Sequence, residues 1–149
     1  MRAFVFSLVI PLLVLTGCHN PTLDAAQQQA MANFRPKLPL PYQEGMKVES
    51  IHRHGKDLVL VIRFNETTVA QAQANRRSQL YDLKTSEEIR MVQLCQTADF
   101  IPLLTEGGGL RRRFIDANDA VFFEVSLSAD RCALTPAPET PTPSTQDAP

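Results

Sequence analysis

Apolar and polar positions along this chain alternate at two periods, which together predict one helix, two strands, a set of helices and two further strands. Before them, an apolar run from Ala3 to Leu15, broken only by Ser7 and Pro11, follows Met1-Arg2. It is too short to cross a ~30 Å hydrocarbon core, which needs about 20 apolar residues. A single basic residue, an apolar middle and a small residue at Gly17 instead describe a secretory leader over residues 1–17.

The first helical signal begins at Asp24, a candidate N-cap, and places Ala30, Met31 and Phe34 on one stripe. Pro36 ends it, because the residue before a proline is pushed out of the helical region. Pro36, Pro39 and Pro41 then enforce an extended crossing, with Leu38, Leu40 and Tyr42 free to pack on a core. Met46–His54 and Asp57–Asn65 read as strands joined at Gly55-Lys56. Leu58, Leu60, Ile62 and Phe64 share one face of the second strand, and Val59 and Val61 the other. Apolar residues on both faces predict a central position.

Residues 67–83 are polar and helical in tendency, with Val69, Ala72, Arg76, Leu80 and Leu83 as a thin stripe. Thr85 and Glu88 have capping-box spacing, which predicts a new helix with Ile89, Met91, Val92, Leu94 and Cys95 facing the core. A short piece from Ala98 to Thr105 ends at Gly107-Gly108-Gly109. No strand precedes this triplet and no lysine-serine pair follows it, so it reads as a helix-to-strand turn and not a phosphate loop. Leu110–Asp116 and Ala120–Ser128 then form a hairpin through Ala117-Asn118-Asp119. Arg111, Arg112 and Arg113 put charge on both faces of the incoming strand, a pattern that suits a protected edge or a cationic contact for an acidic partner. The expected fold is α+β, a small antiparallel sheet of about four strands in two hairpins with helices on one side.

Composition narrows the function. A formal net charge of −1 gives no field to draw in nucleic acid. The absence of Trp and an aromatic content of 7% speak against a carbohydrate-stacking surface. His52 and His54 point to one side at strand spacing, but no third metal ligand lies near them. No Ser/His/Asp or Cys/His arrangement is legible, and the carboxylates fall where caps, turns or solvated faces explain them. The chain therefore reads as no enzyme, with no cofactor, no metal, no catalytic residue and no small-molecule substrate. From Ala133 the composition collapses to Pro, Thr, Ser, Ala and acids, with Leu134 the one large apolar residue. Such a tail, residues 133–149, buries too little to offset its ordering entropy.

Leu15-Thr16-Gly17-Cys18 resembles the lipobox of bacterial lipoproteins. The resemblance implies acylation of Cys18, cleavage before it and anchoring by several acyl chains, each contributing ~0.8 kcal/mol per buried CH₂. His19 is not the aspartate that commonly retains lipoproteins in the inner membrane, so the implied location is the outer membrane, on its periplasmic face. Residues 18–23 are then a lipidated spacer and 24–132 the domain. With Cys18 spent on lipid, Cys95 and Cys132 remain, and in an oxidising periplasm they are expected to pair.

The order of a lipobox, a short helix, a Leu-Pro crossing, a strand pair, a helix ending in Cys95, a basic strand, an Asn turn and a last strand running to Cys132 resembles the α/β pilotins of type II secretion, the AspS-like group, and related type III pilotins. Leu38–Asn65 and Ile89–Cys132 carry the likeness; the segment 67–83 and the tail depart from it. The resemblance implies an adaptor that binds a C-terminal helical segment of a secretin subunit in an apolar groove and brings it to the outer membrane through its lipid. Patterning alone points to the sheet face opposite the core, around Val59, Val61 and Phe122, as the partner-binding surface. The contrasting expectation is an envelope lipoprotein with a structural or assembly role unrelated to secretins.

Overall fold

The computed structural model describes residues 20–75 and 77–133; Cys18, the leader and the tail beyond Ala133 lie outside the described residues. Helix α1 spans Pro21–Phe34 and is capped by Asn20, whose side-chain oxygen accepts from the backbone N–H groups of Thr22 and Leu23. The helix thus starts ahead of the expected Asp24 cap: Pro21 sits in its first turn, where its missing N–H costs nothing. A tight turn, Arg35–Lys37, follows it at the expected proline stop.

Five strands follow the sequence order in one sheet: β1 Leu40–Pro41, β2 Met46–His54, β3 Asp57–Phe64, β4 Gly109–Ile115 and β5 Val121–Ser128. Between β3 and β4 come α2 Val69–Asn75, α3 Arg77–Gln93, a tight turn Leu94–Gln96 and α4 Ile101–Thr105; α5, Ala129–Ala133, closes the described chain. The α+β class and the central place of β3 hold. Two details differ from the expected pair of hairpins. The crossing segment contributes the two-residue β1, and β4 runs parallel to β3, from Asp57 opposite Gly109 to Arg63 opposite Ile115. The long helical crossover makes this possible, since parallel neighbours need a dozen or more connecting residues.

Strand alternation sorts the sheet into two faces. Leu58, Leu60 and Ile62 of β3, Leu110 and Phe114 of β4, Val125 and Leu127 of β5, and Val48 and Ile51 of β2 form the core face. Ala30 and Met31 of α1, Met91 of α3, and Phe100, Leu103 and Leu104 around α4 cover it. Gly108 is crowded by this packing. A Cβ there would stand 2.5 Å from Leu103 Cδ1 and 2.9 Å from Leu23 Cδ1, so Gly108→Ala is expected to lower the urea midpoint through overpacking.

Three predicted local features are corrected. No helix starts at Thr85: α3 runs through it, and the Thr85 hydroxyl donates to the Tyr81 carbonyl one turn back. Ile89 does not face the core, with 65% of its surface exposed. The buried positions of α3 are Glu87 and Met91, and Ile89 lies two residues, about 200°, from each. Finally β4 is no edge strand, because β3 and β5 flank it. Its arginines are tolerated inside the sheet because each meets an acid from another element: Arg111 pairs with Asp57 and Glu124, Arg113 with Glu124, and Arg112 with Glu87.

The β4–β5 turn is organised by Asp116, whose buried carboxylate accepts N–H groups from Val69, Asn118 and Ala120. Asp119 takes the left-handed backbone the turn needs, at φ 67°. The bond from Val69, then those from Ala120 and Asn118, hold the Asp116 carboxyl below its ordinary range. A depressed carboxyl stabilises the fold fully above its unfolded pKa of about 3.9, and that contribution is lost as pH falls through the lower folded value. Urea titrations between pH 2 and 6 should therefore show an acid limb in the native protein that Asp116→Asn makes shallower.

Candidate functional site

Cys95 lies in the turn Leu94–Gln96 just past α3, and Cys132 lies in α5, immediately past β5. The two are bonded, with Cα atoms 5.4 Å apart. The bond brings α5 against the end of α3 and leaves an open trough between them. It is lined by Thr85, Glu88, Ile89, Val92, Gln93 and Arg131, with a volume of about 480 Å³. Tyr81, 72% exposed, continues the apolar line two helical turns upstream of Ile89, about 12 Å along the axis. These are the two most exposed large apolar side chains of the described residues. Thr85 stands between them at i+4, and Lys84–Glu88 supplies a charged border. An apolar seam with a polar rim on the outside of one helix can receive the apolar face of a second helix.

A second cleft, about 490 Å³, lies on the other side of α5, where the disulfide, Ile101 and Leu104 form its walls. A narrower one of about 160 Å³ sits under α2, between Phe64, Ala72, Leu80 and Leu83.

The sheet face away from the helices has a different character. Asp57, Arg111, Glu124 and Arg113 form a ladder across β3, β4 and β5, and Arg63 bridges Glu49 and Asp119. Val59 lies on this face with no exposed surface, between His52 on β2 and Arg111 on β4, and Val61 is half-buried. Phe122 is elsewhere. The register slips between Phe114 and Ile115, which leaves Phe122 as the extra residue of β5, and its ring packs 4.7 Å from that of Phe64 beside the core. The structure therefore does not bring Val59, Val61 and Phe122 together. Burial, then the charge of Arg113 and the neighbouring His54, lowers the His52 pKa. Among the described residues no group of three or more His, Cys, Asp or Glu is placed to hold a metal ion.

No family model and no curated protein matches the sequence. Solved structures do match. The pilotin EpsS of the Vibrio vulnificus type 2 secretion system shares this chain path at a TM-score of 0.50 and 18% identity, over 78% of this chain and 98% of that one. The fold is pilotin-like. A Pseudomonas aeruginosa protein described as secreted shares it at a TM-score of 0.53 and 15% identity, over 74% of this chain and 92% of its own. The type II secretion pilotin AspS of Vibrio cholerae aligns at 0.49 and 14% identity, over 75% and 96%. At such identities the shared property is the path of the chain, so the surface of the pilotin-like domain has to be read from its own residues.

Of the residues singled out in the sequence, the structure joins Cys95 to Cys132. Ile89, expected on the core side, is exposed, while Glu87, a carboxylate expected at a cap, turn or solvated face, is buried; Tyr81, on which no expectation bears, is exposed as well. The legible signal was the stripe Tyr81, Thr85, Ile89, which has helical spacing of its own.

Proposed function

We propose that this protein is an outer-membrane lipoprotein that acts as a pilotin, an adaptor and not an enzyme. It binds a helical segment of a secretin subunit and assists the subunit's localisation and assembly in the outer membrane. The pilotin-like fold over 78% of the chain is the observation that carries this reading. The lipobox-like Leu15-Thr16-Gly17-Cys18 supplies the anchor, on the periplasmic face. The partner's helix would lie in the α3–α5 trough, with its apolar residues against Ile89, Val92 and Tyr81.

The test is capture from detergent-solubilised envelopes together with a deletion strain. The secretin should copurify with the native protein and lose its outer-membrane location in the deletion, and labelled palmitate should enter the chain at Cys18. Ile89→Asp and Tyr81→Asp should abolish capture while shifting stability by no more than about 0.5 kcal/mol, since both sites are exposed. Recovery of no secretin, with normal secretin localisation in the deletion strain, would sink the reading.

A further inference from the structure

The capping geometry of α1 leaves almost no tether between the acylation site and the folded domain. Cys18 precedes the Asn20 cap by two residues, a reach of about 7 Å. The first two turns of α1 are in turn sewn to one end of the sheet. Thr22 donates to Glu106 beside the α4–β4 turn, Asp24 pairs with Arg53, and the buried Gln27 amide donates to the Gly55 carbonyl in the β2–β3 turn. The N–H of Gly109 donates to the Lys56 carbonyl and joins those two turns to each other.

We propose that the lipid on Cys18 holds the domain end-on, with the β2–β3 and α4–β4 turns against the phospholipid headgroups and the α3–α5 trough running along the membrane normal. The proposal rests on the anchor in the reading above and adds an orientation to it. The far end, at Asp116–Asp119, lies beyond the length of β4, about 23 Å away. The alternative resting face is the flank of α1, but beyond its first turn the exposed positions Ala25, Gln28, Gln29, Ala32 and Asn33 hold neither a cation for lipid phosphates nor a large apolar group to insert, and the exposed Arg35 and Lys37 come only after its last residue. The end face offers the exposed Lys56 and His54. Helix α3 descends toward the membrane in this pose. Its start follows α2, whose first N–H is held by Asp116 at the far end, and its finish is bonded through Cys132 to α5, which continues from β5 where Ser128 pairs with Gly109. Tyr81 is then distal and Val92 proximal, so the trough opens sideways to a partner standing beside the lipoprotein.

The mature chain, purified from cell membranes, is placed in nanodiscs of phosphatidylethanolamine and phosphatidylglycerol doped with a gadolinium-chelating lipid, and signal loss is mapped over the backbone amides. Amides of residues 53–56 and 105–108 should lose their signal, those of 117–119 should keep it, and loss along α1 should fade from Leu23 to Phe34. Equal loss along the whole of α1, or loss at 117–119, would overturn the proposal. Ten Gly and Ser residues inserted between His19 and Asn20, which leaves the cap intact, should flatten the gradient; a gradient that survives would show that the tether does not set the pose. Mass spectrometry of the same sample separates the two readings. Unmodified Cys18 removes the anchor itself, whereas an acylated chain without a gradient removes only the orientation.

Discussion

Replacing Cys95 and Cys132 together by alanine is expected to lower the stability of the domain by about 4 kcal/mol, or roughly 15 °C in Tm. The bond closes a loop of 37 residues that runs through α4, β4 and β5, and cutting it returns that loop's freedom to the unfolded chain. Both sulfurs also pack against the core, so the alanine pair loses contacts as well. Thermal unfolding of the oxidised protein, the reduced protein and the double variant checks this, and the last two should unfold together. Function should fail earlier than the fold. Helix α5 has five residues and carries Arg131, one wall of the trough, and Cys132 is what fastens it to α3. Partner capture is therefore expected to fall under reducing conditions at temperatures where the sheet is still folded.

The second large effect is centred on Glu87. Its side chain is fully buried, yet it accepts from the Tyr42 hydroxyl, the Gln43 amide, Arg90 and Arg112. The cluster ties α3 to β4 and to the loop between β1 and β2. It also explains why burial, followed by the bond to Glu87, raises the Tyr42 pKa. Glu87→Ala leaves the Arg112 guanidinium, itself 11% exposed, without its counter-charge in the interior. Breaking a buried pair from one side costs about 3–5 kcal/mol. Replacing both members, Glu87→Met with Arg112→Leu, should recover part of that loss, because the two apolar groups need no partner while the Tyr42 hydroxyl and the Gln43 amide still lose their acceptor. Urea unfolding of the single and double variants measures both quantities, and an undiminished loss in the double variant would show that shape and not charge is at issue.

Glu87 also marks where the sequence stops being legible. The strands were readable because a period of two depends on nearest neighbours: β2 and β3 begin and end within a residue of expectation. The disulfide was readable once Cys18 was set aside. What was hidden depended on partners distant in sequence. Three consecutive arginines resemble a guarded edge until Asp57, Glu87 and Glu124 are seen beside them. A threonine followed by glutamate at i+3 looks like a helix start, unless the preceding turn already exists to accept the threonine hydroxyl. The parallel pairing of β3 with β4 was hidden for the same reason, since the segment between them reads as helices and says nothing of which edge the chain returns to. The candidate site follows from these hidden facts. A glutamate on the buried side of α3 turns Ile89 outward, and the proposed partner surface moves with it from the sheet to the helices.

The trough as the place where a secretin segment is held is most directly tested by a photoreactive residue at Ile89. With p-benzoylphenylalanine there, in cells that make the secretion machinery, irradiation should yield one adduct containing the C-terminal segment of the secretin. The same probe at Ser50 on the charged sheet face should yield none. A secretin adduct from Ser50 and none from Ile89 would contradict the assignment of the trough, and no secretin adduct from either position would contradict the pilotin reading.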